Sequence, residues 1–331
     1  GRKQRLLTAG VAVVTVLGTG FFGPAFAGES PVETVSPADA AAAIDELTDA
    51  EPELVADPAS STYDKDSAAI VNVNGGGEVV VSRDPGDGID VTTASGEAIQ
   101  VALPDEGAGR HTGDGTVVFG DRDGAASMVV PADDGVQILT TIVDDHAATE
   151  FRYDLDLPAG ATLTTDPGSG VVAILDADGE PIGSFGAPWA RDASGAEVPT
   201  HYEITAGSLV QVVDHRSGSY AYPVVADPWL GFSLVKSASW TRRDGQWTLM
   251  VTPTGWARAN GGGYLPGKAG WNELYSKYKN KGLNTNLGGM KDQFICHAQL
   301  AFFKPTWNLD EGRKDLSYAA TLAWGCNPPY K

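Results

Sequence analysis

From Tyr63 onward the chain alternates short apolar runs with polar breaks. The runs include GEVVV, GTVVF, SMVV, VQILTTIV, GVVAIL and SLVQVV, and the breaks DPGDG, DRDG, ADDG and DADG are turn sequences. They recur about every 8 to 14 residues with no helical period between them, a rhythm that predicts an antiparallel sandwich or barrel. The preceding segment, 28–60, reads as a flexible stalk. It holds one short alanine-rich helix, PADAAAAIDELTDA, opened by Ser36 as N-cap and Pro37 as first helical residue, with little that is large to bury.

Past residue 229 the pattern changes. SASWTRR and QWTLMV meet through Asp244-Gly245, a hairpin signal, and Trp240, Trp247 and Leu249 can share one buried face. In AGWNELYSKYKN, Trp271, Leu274, Tyr275 and Tyr278 fall at helical spacing, and Gly282 supplies the stop. Within DQFICHAQLAF, Phe294, Cys296, Ala298, Leu300 and Phe302 alternate with polar neighbours, which predicts a strand with Cys296 inward and His297 outward. Tyr318 to Cys326 alternates likewise. The fold expected is mostly β: an antiparallel β-sandwich-like acidic domain over 61–228, then a small disulfide-stapled α+β domain over 229–331.

The first 27 residues change the chemistry that is available. Arg2, Lys3 and Arg5 precede the apolar stretch LLTAGVAVVTVLGTGFFG and the Ala25-Phe26-Ala27 cleavage box, the layout of a Sec-type secretory signal. Its glycines, threonines and cleavage box favour removal over a membrane anchor, so no stable membrane insertion of the mature chain is expected. Export puts the two cysteines, Cys296 and Cys326, in an oxidising compartment, where one disulfide is expected. Such a bridge is worth roughly 3 to 4 kcal/mol in the chain-entropy picture. A cysteine-histidine nucleophile at Cys296-His297 would need a reduced thiol, so the bridge is the preferred reading.

Charge divides the chain at the same place as the pattern. The formal charge of −20 resolves into −30 over 28–228, from seven basic and 37 acidic residues, and +7 over 229–331, from thirteen basic and six acidic ones. Seven of the eight tryptophans also lie at or beyond 229, which marks a domain boundary near Asp227-Pro228.

Reactive side chains are sparse. Counting an EF-hand loop from Asp176 puts Ala187 where a bidentate acid is required, so the Asp-Gly clusters are turns; no metal site and no cofactor are expected. His201 and Asp214-His215 lack a second ligand or a serine elbow at fixed spacing. In ARANGGGYLPGKAGW the glycines lack P-loop spacing and read as a loop, whose Tyr264 and Lys268, with Trp256 nearby, are candidates for a ligand-binding rim; Trp307 and Arg313 complete that set. The catalytic candidates are His297 as base with Asp292 or Asp315 as partner, although a separation of five puts Asp292 and His297 on opposite faces of a strand.

Gly270-Trp271-Asn272-Glu273-Leu274, the run Gly289 to His297, Thr306-Trp307-Asn308-Leu309 and Cys326-Asn327-Pro328 together resemble a secreted actinobacterial family, domain of unknown function 2599, over roughly Val235 to Pro329. The segment Asp310 to Lys314 departs from the Pro-Trp-Arg-Pro run of that family. Phe151 to Pro228 resembles a β-rich module that precedes unrelated C-terminal domains in secreted actinobacterial proteins, which implies a carrier role. The family brings a location and a fold but no activity. The function expected is an extracellular module that binds an anionic cell-envelope polymer or glycan. The alternative is a secreted hydrolase or toxin-like effector masked by its acidic segment. Nucleic acid is a poor partner, since no reader motif or zinc spacing is present.

Overall fold

The computed structural model describes residues 35–73, 76–122 and 124–331. The expected signal and the first residues of the expected stalk lie outside them. Among the described residues the strands form three antiparallel sheets. Seven strands make the first, in the spatial order Ser67–Asn72, Glu78–Ser82, Ile89–Thr92, Ala98–Ala102, Glu150–Asp156, Ser208–Val213 and Thr200–Thr205. The second, larger sheet is built around Ala125–Ala132 and Gly135–Ile142, which pair over their full length. The third joins Val235–Arg243, Gln246–Pro253 and Trp307–Asp310.

The two central strands of the large sheet are buried at every position. Alternate side chains explain this. Val129, Val136, Ile138 and Ile142 join Val79, Val91, Phe151 and Leu209 in the core between the first two sheets. Met128, Val130 and Leu139 point the other way, into a second core with Trp256, Trp271, Phe294 and Trp307. The large sheet is therefore the middle of three layers, and a strand covered on both faces reads as a continuous apolar run.

Helix α1, Pro37–Ala50, is capped by Ser36, whose hydroxyl accepts from the Asp39 amide. It does not stand free. Ala43, Ile44 and Leu47 enter the second core, and buried Gln137 ties down the chain that follows α1 by donating to the Leu54 carbonyl and accepting from the Ala56 amide, both at 2.7 Å. The expected stalk is thus packed over its described part, because small alanines let a helix approach the sheet closely.

The composition shift at Asp227-Pro228 also falls inside the packing. Trp229–Gly231 is a strand of the large sheet, between Pro181–Phe185 and Gly135–Ile142. Helix α2, Gly255–Asn260, then lays Trp256 across that strand, fully buried. The Trp256 indole Nε1 donates to the Trp229 carbonyl at 3.0 Å, and its backbone N–H donates to Asp134 Oδ2 at 2.7 Å. Burial pushes the Asp134 carboxyl up, against the pull of that hydrogen bond. Gly231 makes the approach possible: a Cβ there would lie 2.2 Å from the indole.

Acidic groups of the first segment meet helix starts of the second. Helix α3, Tyr264–Tyr278, receives the Asp166 carboxylate, which accepts from the Leu265 amide at 2.8 Å, and Lys268 pairs with Glu180 at 2.8 Å. An anion at a helix N-terminus is stabilised by its free N–H groups and dipole. Part of the opposite charge of the two segments is spent at this seam.

Two substitutions test the seam. Trp256→Ala should cost about 3 to 5 kcal/mol and Gly231→Ala about 1 to 3 kcal/mol in urea denaturation. In the double variant the Gly231 change should add little, since its clash partner is gone; additive costs would contradict the packing described.

Candidate functional site

The stretch around Cys296 is a helix. Helix α4, Leu287–Leu300, replaces the strand expected there, and α5, Tyr318–Ala323, capped by Ser317, replaces the second. The reason is burial on most sides: Met290, Gln293, Phe294, Ile295, Cys296, His297 and Ala298 all face protein. A helix enclosed all round shows no apolar stripe, and its polar members mimic alternation. Cys296 and Cys326 form the expected disulfide, with Cα atoms 5.4 Å apart, so it joins α4 to the chain leaving α5 rather than two strands. The Cys296 thiol is consumed.

His297 points inward, not to solvent as a strand would have it. Its Nδ1 donates to the Gln293 carbonyl at 2.7 Å, and burial, with Lys304 nearby, holds its pKa below the ordinary 6.5 although that hydrogen bond pulls the other way. Asp292 lies on a different side of α4, since five residues turn a helix by roughly 500°. Burial pushes the Asp292 carboxyl up and the Asp315 carboxylate adds to it. Asp315 sits against the first turn of α4, where a Cβ on Gly288 would meet its Oδ2 at 2.5 Å. No hydrogen bond or ion pair among the described residues links His297 to either acid.

The polar partner of α4 is Asp310. Gln293 clasps its backbone by accepting from the Asp310 N–H at 2.9 Å and donating to its carbonyl at 3.1 Å. The Asp310 carboxylate accepts from Thr248 Oγ1 at 2.6 Å, Arg313 Nε at 2.7 Å and the Tyr330 hydroxyl at 3.1 Å. Arg313 also lies 4.5 Å over the Tyr330 ring and donates to the Pro328 carbonyl. Within this departing segment, Asp310 to Lys314, the buried Asp310 and Arg313 lock the third sheet to the C-terminus.

The residues proposed as a ligand rim are dispersed. Trp256 is in the seam, and Trp307 is fully buried against Phe294 with ring centres 5.2 Å apart. Arg313 is bound to Asp310, and Lys268 to Glu180. Tyr264 opens α3 and packs edge-on to Tyr318. A region of about 100 residues needs its large side chains for a core, so most tryptophans went inside.

An exposed cationic-aromatic surface lies elsewhere, on the hairpin tip and the end of α3. Asp244 and Gly245 both take positive φ, 51° and 78°, as the expected two-residue turn requires. Trp240 pairs with Leu249 and Arg242 with Trp247, so Trp240, Trp247 and Leu249 share one face, but of them only Leu249 is fully buried, not the whole face as expected. It outruns the core, leaving Trp247 47% exposed with the Arg242 guanidinium 4.8 Å above its ring. Trp240 Nε1 donates to the Lys281 carbonyl at 2.8 Å, and the Lys281 ammonium lies 5.1 Å from the Tyr278 ring. Tyr278 in turn donates its hydroxyl to the Ala238 carbonyl, which fixes α3 to the hairpin. The signal available in the sequence was register: Arg242 falls opposite Trp247 once Asp244-Gly245 is the turn.

The architecture is that of a mostly β protein with a disulfide-closed α+β C-terminal region. Residues 235–329 match the family described as "Protein of unknown function (DUF2599)", the region and family that the residue blocks resemble. The uncharacterized proteins Mb0487 of Mycobacterium bovis and Rv0477 of Mycobacterium tuberculosis are each 45% identical over 47 residues, covering 13% of this chain and 32% of theirs. The chain thus spans about a third of the length of these curated relatives.

A buried neutral imidazole has a measurable signature. Because His297 and His215 are both held below 6.5 by burial, the unfolded chain takes up protons first. Their contribution to stability is full above pH 6.5 and is lost as the pH falls through that value. His297→Gln should flatten part of the fall in urea midpoint between about pH 7 and about pH 5; an unchanged slope would mean that His297 titrates freely.

Proposed function

We propose that this protein is an extracellular binding module whose hairpin tip engages an anionic polymer or glycan of the cell envelope. The observation that carries the reading is the stacked Arg242-Trp247 pair, exposed and flanked by the Lys281-Tyr278 pair. An exposed aromatic needs a reason, and a cation held over it presents both charge and an apolar face to one ligand. Lys279, next in the chain to Tyr278, is exposed as well, while exposed Arg243 is paired with Asp244 at 3.9 Å. The buried disulfide and the signal-like leader support a location outside the cytoplasm. No helix among the described residues is long and apolar enough to cross a membrane.

The alternative of a hydrolase or toxin-like effector quietened by the acidic segment has less support. Asp134, Asp166 and Glu180 act at backbone amides and Lys268 within the seam, and His297 bonds to a backbone carbonyl. Charge contrast was the motive for that reading, and the seam uses it structurally.

The test is co-sedimentation of the full mature chain with purified cell-wall sacculi at low and high salt. Retention should fall with salt, and Trp247→Ala and Arg242→Ala should each weaken it by roughly threefold to tenfold while the fold is kept. Retention by the variants equal to that of the parent, or no retention at low salt, would overturn the assignment of the tip.

A further inference from the structure

The chain contains four Asp-Pro bonds, at 57–58, 84–85, 166–167 and 227–228. Such a bond is open to attack by the aspartate's own side chain. A carboxyl oxygen reaches the main-chain carbonyl carbon of its own residue through a five-membered ring, so proximity is covalent, and the basic proline nitrogen is a good leaving group once it takes a proton.

The four sites differ in what holds the carboxyl. Asp57 and Asp84 are exposed. Asp166 is buried, but both its oxygens accept, from Ser169 Oγ at 3.1 Å and from the Leu265 amide at 2.8 Å. Asp227 is 0% exposed, and its Oδ1 accepts from the Trp189 amide at 3.1 Å while its Oδ2 has no hydrogen-bond partner. A buried carboxyl with one idle oxygen is costly to keep, and such groups concentrate where chemistry is done. Burial pushes this carboxyl well up, which holds it as the acid; the ionisable group that feels its charge is the Tyr202 hydroxyl, also pushed up by burial.

The backbone is pinned on both sides of the bond. Ala226 pairs with Thr140 and Trp229 with Gln137 on one neighbouring strand, and the Pro228 carbonyl accepts from the Ile138 amide at 2.8 Å. Proline has no N–H to complete that pair, so its nitrogen stays out of the ladder. The bond therefore lies between two anchored strands, where the acidic composition gives way to the basic one.

We propose that the chain cuts itself between Asp227 and Pro228. Oδ2 of Asp227 bonds to the main-chain carbonyl carbon of the same residue, the carbon–nitrogen bond to Pro228 breaks, and the carboxyl proton ends on the proline nitrogen. This leaves a five-membered cyclic anhydride at Asp227 and a new amino terminus at Pro228. Water then opens the anhydride to two carboxyl groups, so the sum is the hydrolysis of one peptide bond. The fragments stay together, because Pro181–Phe185 and Gly135–Ile142 hold Trp229–Gly231, and Asp134 holds the Trp256 amide. The disulfide lies wholly within the second fragment and does not link the two. The product is an acidic and a basic chain bound without a covalent bond.

Mass spectrometry of residues 28–331, held for days in neutral buffer and then unfolded without heat or acid, tests this. Two chains, 28–227 and 228–331, are expected, eluting as one species in native size-exclusion chromatography, with the other three Asp-Pro bonds intact. That selectivity among four bonds is read on the unaltered chain and needs no variant to fold. Cleavage should be at least about tenfold slower in concentrated urea, where burial is lost, and in Asp227→Asn, which keeps an acceptor for the Trp189 amide but not the acid. Pro228→Ala should slow it likewise. An intact chain, cleavage shared among the four bonds, or an equal rate in urea or in Asp227→Asn would overturn the proposal.

Discussion

The indole of Trp256 packed on Gly231 is the contact on which the rest of the structure depends. It places a tryptophan of the basic segment on a strand of the large sheet, with its backbone N–H satisfied by Asp134 of the acidic segment and its indole N–H by the Trp229 carbonyl. Everything that follows in the chain is positioned from there: α3 against Pro181–Phe185, α4 against α3, and the disulfide beyond α4. The unused face of the large sheet needed a cover, and the tryptophan-rich segment supplies it together with α1. Neither partner would be complete alone, since Met128, Val130 and Leu139 would face water without the second layer.

Electrostatics then works on top of packing rather than in place of it. The −30 and +7 segments meet through a few carboxylates placed at helix starts, where partial charges are fixed and solvent is scarce. Asp134 shows the cost: burial pushes its carboxyl up even while it accepts from the Trp256 amide. Cations without such partners, among them Arg242 and Lys281, are left to the hairpin tip, where aromatic rings hold them instead.

Much of the fold was legible because local signals sufficed. Asp-Gly turns spaced the strands, Ser36-Pro37 opened α1, Asp244-Gly245 set the hairpin register, and a lone pair of cysteines implied one bridge. What failed depended on three-dimensional enclosure. Phe294, Cys296, Ala298 and Leu300 alternate by coincidence along a helix buried almost all round. The charge shift at Asp227-Pro228 marked a change of composition, but Trp229–Gly231 carries the sheet across it. Trp256 and Trp307 resembled binding residues for the reason that makes them core residues: both roles want large aromatic area.

The most direct measurement is hydrogen exchange of residues 28–331 across a urea series, comparing amides of Gly135–Ile142 in the large sheet with amides of Leu287–Leu300 in α4. If the seam joins the two segments into one cooperative unit, both sets open with the same free energy and the same denaturant dependence. Exchange of α4 through a separate, lower-energy opening that leaves Gly135–Ile142 protected would show that the C-terminal region folds independently and that Trp256 does not unite the molecule.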